Sequence, residues 1–196
     1  MGEPPNEEFS EAEAEVMRAT YRALREHGYA ELTVKRIAEE YGKSTAAIHY
    51  HYDTKEDLLA AFLDFILDQF VETIRDVETT DPEERLTLLL DELLVKPQSN
   101  QDLSIALMEM RSQAPYKEAF RERFRQNDEY VRFMLKAVVN HGIDEGVFRD
   151  VDADRVTRSL MTIVDGARTR SVVLGDPSAL ETARETASEY VDAVLR

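Results

Sequence analysis

Cysteine is absent from the 196 residues. That excludes disulfide scaffolds, zinc fingers, iron–sulfur clusters and thiol catalysis. Tryptophan is absent too, and lysine is scarce: 6 of the 24 basic residues are lysine and 18 are arginine. No long apolar run exists. The most apolar stretch, Leu58 to Val71, is broken by Asp64, Asp68 and Gln69, so no transmembrane span is expected. Residues 1–15 are acidic and carry neither a basic nor an apolar leader segment. The expectation is a cytoplasmic protein with no membrane contact.

Acid dominates what is present. Forty Asp and Glu against 24 Lys and Arg give a formal net charge of −16, and 43% of residues are hydrophobic. The apolar content argues for a folded core rather than an acidic disordered tail. An acidic, lysine-poor surface suits a salt-rich cytoplasm such as a haloarchaeon's, where salt screens self-repulsion.

The chain reads as helical throughout, with no β pattern and no repeat. Residues 1–9, with Gly2, Pro4 and Pro5, read as a flexible tail. Ser10 and Glu13 form a capping-box pattern that opens the first helix. Ala12, Val16, Ala19, Thr20, Ala23 and Leu24 make its apolar stripe, and Gly28 ends it. Thr33 caps a second helix that ends at Gly42, Ser44 caps a third, and Thr54 with Asp57 caps a fourth. That fourth helix is apolar on more than one face from Leu58 to Ile74, as a helix buried on several sides is. Five more helices are predicted over about Pro82–Val95, Gln101–Ser112, Tyr116–His141, Ala153–Leu174 and Ser178–Leu195. Pro97, Pro115 and Pro177 fall in the gaps. Gly142–Asp152 reads as a turn-rich connection. The predicted architecture is all-α: a flexible tail over 1–9, a three-helix head over 10–54, and a larger helical body over 55–196.

Function is carried by Val34–His51. Counting Val34 as the first position, Ile37 and Tyr41 are apolar at the fourth and eighth. Ala38 is small at the fifth, Gly42 stands at the ninth, and Ile48 is apolar at the fifteenth. This is a helix-turn-helix pattern. Ala38 lets the helices cross closely, and Gly42 supplies a left-handed turn residue. Ile37, Tyr41 and Ile48 fix the angle that sends the second helix into a major groove. Lys43 departs from the pattern, since an apolar residue is usual there.

The segment Thr33–Ser44, followed by Ile48-His49-Tyr50-His51-Tyr52 and Lys55-Glu56-Asp57-Leu58-Leu59, resembles the TetR family of transcriptional regulators. His49 stands where that family usually has Tyr, and Tyr52 where it usually has Phe. The body is similar more weakly, through Gly142–Arg149 and Ile163-Val164-Asp165-Gly166, to the betaine-regulator branch.

Thr45, Ala46, His49 and Tyr50 should point outward, since Ala47, Ile48 and Tyr52 point in. The resemblance implies base and phosphate contacts from these outward positions. His49 and Tyr50 can donate to phosphates or touch base edges, Thr45 and Ala46 can pack on thymine methyls, and His51 is a further DNA-binding candidate. Lys55 resembles the family's phosphate-binding lysine, while Thr33, Lys35, Lys43 and Ser44 are further candidates. The alternative is that His49, Tyr50 and His51 are solvated aromatics.

Between Gly28 and Lys55 the charges cancel, with Lys35, Arg36, Lys43 and Lys55 against Glu31, Glu39, Glu40 and Asp53. Neutrality is a handicap for a DNA binder. Four phosphate contacts lose roughly 10³- to 10⁴-fold in affinity per tenfold rise in salt. Shape, apolar contact or cation uptake by acidic side chains must then help.

In the body, the resemblance implies a small-molecule effector pocket. Its candidates are Phe62, Phe65, Leu103, Leu107, Met108, Phe133, Met134 and Met161, with Asp165 and Arg168 able to orient a ligand or to pair at a subunit interface. Each of these also reads as ordinary core. Phe70 and Val164 stand in the same position. An anionic ligand at Arg121, Arg123, Arg125 and Arg132 is a further alternative to a solvated face. The resemblance also makes the last two helices a homodimer interface, with stripes Val156, Leu160, Ile163 and Val164, and Tyr190, Val191, Val194 and Leu195. Two heads would then meet a palindromic double-stranded operator. Effector binding would tilt the fourth helix, change the head spacing and release the DNA.

No cofactor or metal set is apparent. No paired carboxylates, phosphate loop or nucleophile–base set points to an enzyme. The competing reading is an acidic helical adaptor that has lost DNA binding and acts through a protein partner.

Overall fold

The computed structural model describes residues 9–75, 79–95 and 100–196. The expected tail up to Glu8 and the loop proline Pro97 lie outside the described residues. Within them the fold is all-helical: α1 (Glu11–Glu31), α2 (Val34–Tyr41), α3 (Thr45–His49), α4 (Lys55–Arg75), α5 (Pro82–Leu94), α6 (Gln101–Gln113), α7 (Glu118–Asp144), α8 (Ala153–Val173) and α9 (Ser178–Leu195).

The helix starts follow from local chemistry. Ser10 N–H donates to Glu13 Oε2 at 2.9 Å, while Glu13 N–H reaches back to Ser10 Oγ. Thr54 and Asp57 repeat the exchange at α4, each backbone N–H donating to the other's side chain at 3.1 Å. Thr33, Ser44, Asp81 and Asp152 each accept a backbone N–H of the helix that follows. Each cap satisfies an N–H that the first turn leaves without a helical partner.

The chain forms two compact units: Met1–Val71 with Asp102–Asn127, and Glu72–Gln101 with Asp128–Arg196. The boundaries fall inside α4 and α7 and after the first residue of α6. In the first unit, Val16, Leu24, Ile37, Ile48, Leu58 and Phe62 share one core with Ala106 and Met110 of α6 and Phe120 of α7. α1 is broken at Gly28 (φ 68°, ψ 171°) and resumes for one more turn, which the expected stop at Gly28 did not include. That turn is held from α6, where Glu109 Oε2 accepts the Tyr29 N–H at 3.1 Å. Lys117 bonds Glu56, and its ammonium lies near the Phe120 ring.

In the second unit α8 packs along α9, and both pack on α5. Arg184 bonds Asp91 at 2.6 Å, and Arg168 donates to the Leu93 carbonyl. Here the structure corrects a boundary. α7 runs through Gly142 to Asp144, three residues beyond the predicted end at His141. Glycine stands at 142 because Phe148 folds back onto it, with the Val147 and Phe148 N–H groups both donating to the Gly142 carbonyl at 2.9 Å. A Cβ there would sit 2.1 Å from the Phe148 ring.

Two outcomes follow. Gly142→Ala must evict the Phe148 ring and lowers the unfolding free energy in urea by about 2–4 kcal/mol, despite the gain in helix propensity. In a Phe148→Ala background the same change costs far less. At Glu56, the hydrogen bond from Lys117 holds the carboxyl below its usual range, a shift that burial partly opposes. A lowered carboxylate pKa stabilises above the unfolded value, and this stabilisation disappears as pH falls through the folded one. Glu56→Gln therefore costs at most about 1 kcal/mol at neutral pH, because the pair is partly exposed, and the difference closes in acid.

Candidate nucleic-acid interface

The reading helix α3 is short and has one deep anchor. Ile48 is 1% exposed and packs in the core with Ile37 and Ala38 of α2. Gly42 (φ 71°) makes the turn, its N–H donating to Ala38 and Glu39 carbonyls. With Ile48 inward, Thr45, Ala46, His49 and Tyr50 lie exposed, as the sequence predicts, and Ala47 and Tyr52 are half-buried. Tyr50 is 85% exposed. No acidic side chain stands on residues 45–50, so this ridge offers hydroxyl, imidazole and methyl groups. Those are groups that base edges and phosphates accept without repulsion.

The flanking candidates are more constrained. Thr33 and Ser44 are exposed caps whose oxygens already accept backbone N–H groups. Lys35 is exposed, with its ammonium 3.9 Å from Glu39. Lys43 Nζ donates to the Tyr41 hydroxyl at 3.0 Å and to Glu15 Oε2 at 3.1 Å. Both contacts hold the ammonium above its usual pKa, Tyr41 most. This accounts for Lys43 where an apolar residue is usual: the charge is delivered to α1. His51 is half-buried, its Nδ1 3.7 Å from Glu13 Oε1 and its ring edge-on to Tyr50 at 5.1 Å. The Glu13 carboxyl is held below its usual range, chiefly by its Ser10 hydrogen bonds and least by His51.

Lys55 is turned to the Leu32 carbonyl at 2.8 Å and lies 5.1 Å from the Tyr29 ring. Burial lowers its pKa. Burial likewise pushes the Tyr52 hydroxyl above its usual range, with the Glu13 and Asp64 carboxylates adding to it. The sequence reading missed Glu13 and Glu15 as partners of this surface. The capping box already marks Glu13, but nothing in the spacing pairs Glu15 with a lysine 28 positions away.

The ten effector candidates fall in different units. Phe62, Phe65, Leu103, Leu107 and Met108 belong to the first; there Phe62 and Phe65 are buried, with Phe9 edge-on to Phe65 at 5.6 Å. Phe133, Met134, Met161, Asp165 and Arg168 belong to the second, where Phe133 is 59% exposed and Met161 buried. A groove between α5 and α9 is lined by Leu86, Leu90, Asp91, Arg184 and Val191, and none of the ten contributes to it. Three of the four arginines of the alternative anion patch are paired, Arg123 with Asp64 at 3.3 Å, Arg125 with Glu122 at 2.7 Å, and Arg121 with Glu118. Of the α8 and α9 stripes, Val156, Leu160, Val164, Val191 and Leu195 are buried inside the chain itself, so these five are no exposed face for a second chain, while Ile163, Tyr190 and Val194 are half-buried. Among the described residues no three His, Asp or Glu gather where a metal could bind, and no helix is long and apolar enough to cross a membrane.

Comparison with known proteins agrees with this geometry. Residues 16–62 match the family described as bacterial regulatory proteins, tetR family, and residues 82–196 match the BetI-type transcriptional repressor C-terminal family. A TetR transcription regulator from Haloarcula marismortui is 76% identical, with a TM-score of 0.90, covering 96% of this chain and all of that one. The transcriptional repressor AcnR of Corynebacterium diphtheriae is 27% identical over 95% of this chain and 94% of its own. A putative transcriptional regulator from Saccharomonospora viridis, solved in complex with choline, shares the fold at 23% identity and a TM-score of 0.77, covering 95% of this chain and 98% of that one. The Haloarcula likeness supports the haloarchaeal reading of the acidic composition. The likenesses to AcnR, BetI and the Haloarcula protein, each a transcription regulator, do not favour the adaptor alternative. With one family matching its head and another spanning more than half its length, the chain belongs to the TetR family of DNA-binding transcriptional regulators, and its body is of the BetI-type repressor kind.

Proposed function

We propose that this chain represses transcription in the cytoplasm as a two-fold dimer on a palindromic operator, and that a small molecule bound by the body releases it. The observation that carries the reading is the acid-free ridge of Thr45, Ala46, His49 and Tyr50, held outward by the buried Ile48. Residues 10–54 serve as the DNA-binding domain and 55–196 as the effector and dimerisation domain. Thr45 and Ala46 meet thymine methyls, while His49 and Tyr50 donate to base edges or phosphates. Thr33, Lys35, Ser44 and Lys55 hold the backbone, Lys55 after leaving the Leu32 carbonyl. His51 supports the Tyr50 ring. Within the body, Met108, Phe133 and Met134 keep accessible surface, and methionine adapts to varied ligand shapes.

Charge supports a dimer through α8 and α9. The exposed face of α8 carries Arg155, Arg158, Thr162, Gly166 and Arg170, while that of α9 carries Glu181, Glu185, Glu189 and Asp192. In a two-fold bundle the basic face of one chain meets the acidic face of the other. Gly166 has open space around the position of a Cβ, so a partner helix can come close there.

Selection of duplexes from a random pool by the full chain in molar KCl tests the DNA reading. It should enrich inverted repeats with half-sites about one helical turn apart, and Tyr50→Ala should weaken binding to them by about 10-fold. Enrichment of no repeat overturns the reading. Sedimentation equilibrium tests the dimer: Arg158→Glu places like charges face to face and shifts the population from two chains to one, most strongly at low salt.

A further inference from the structure

Both ends of the reading helix are tied to the same stretch of α1. Lys43, just before α3, reaches Glu15, and His51, just after it, faces Glu13. Glu15 has a clear alternative to this arrangement, since its side chain is 45% exposed and could stand free in water. Instead it supplies a carboxylate to the one lysine in the turn of the motif. A DNA phosphate approaching that turn would need the same ammonium.

We infer that Glu15 is a built-in competitor of DNA phosphate for Lys43, and so a residue that sets how strongly this regulator holds DNA irrespective of sequence. The inference rests on the head being the DNA-binding element. A phosphate that takes Lys43 must displace the Glu15 carboxylate and leave it beside the DNA without its counter-charge. That cost is the same for every sequence. It subtracts from sequence-independent attraction and leaves the decision to contacts from Thr45, Ala46, His49 and Tyr50. In concentrated salt, solvent cations neutralise the displaced Glu15, so the cost fades as phosphate attraction fades. The result is a shallow dependence of binding on salt, in place of the steep loss that phosphate contacts alone produce.

Sequence-independent binding is the readout, so a short fluorescein-labelled duplex of random sequence is the probe. Anisotropy titrations compare the full-length wild type, Glu15→Gln, Lys43→Gln and the double variant in tenth-molar and molar KCl. Glu15→Gln should tighten binding by about 3- to 10-fold in tenth-molar KCl and by under about 2-fold in molar KCl. Without Lys43 the gain at low salt should largely vanish. An unchanged affinity of Glu15→Gln at low salt overturns the inference, as does an equal gain with and without Lys43, which would reflect net charge alone. If wild type and variants all fail to bind at any salt, the DNA reading of the head falls as well. If wild type binds and Glu15→Gln is indifferent, only the competitor falls. Glu15 is a half-exposed surface side chain, and a thermal melt of each variant confirms that it is folded before titration.

Discussion

A helix of five residues closes too few backbone hydrogen bonds to hold itself. α3 therefore depends on the burial of Ile48 against Ile37 and Ala38. The Ser44 cap and the left-handed Gly42 set where the helix begins, but Ile48 sets its rotation. With that side chain inward, Thr45, Ala46, His49 and Tyr50 are left exposed. The chemistry offered to a duplex is thus a consequence of packing on the opposite side of one short helix.

Much of this was legible in the sequence because it is local. Caps act over three residues, so Ser10 with Glu13 and Thr54 with Asp57 announce helix starts before any tertiary contact exists. Apolar spacing from Ile37 to Ile48 carries the helix-turn-helix in the same way. What was hidden depends on how chain beyond a single cap or turn packs back. Glycine at 142 reads as a helix stop, yet it is a helical site emptied for the Phe148 ring. The apolar stripes of α8 and α9 read as a subunit interface, but periodicity reports only that a face is buried and never by what. Here α5 and the two helices themselves account for it. The internal partners of Lys43 and Lys55 were hidden for a similar reason. A cation in a motif looks available until the fold supplies Glu15 or the Leu32 carbonyl.

The acidic composition acquires a local meaning in the head. Its positive groups are distributed among internal partners, from the exposed Lys35–Glu39 pair to the half-buried Lys55. Exposed pairs of this kind add little to stability. Their larger effect is on the field that an approaching polyanion meets, which is close to neutral over the turn and free of acid along residues 45–50.

The shared core of the first unit bears on how such regulators can be recombined. Ala106 and Met110 of α6, and Phe120 of α7, are buried among side chains of α1 to α4, and Glu109 holds the last turn of α1. The reading head is therefore completed by chain that follows it by forty residues or more. Grafting residues 10–54 onto another body would strip these side chains away and expose the underside of α1 and α4. A chimera that exchanges operator preference must carry its own α6 and the start of α7, so the natural seam for exchange runs through two helices rather than at the loop before Lys55.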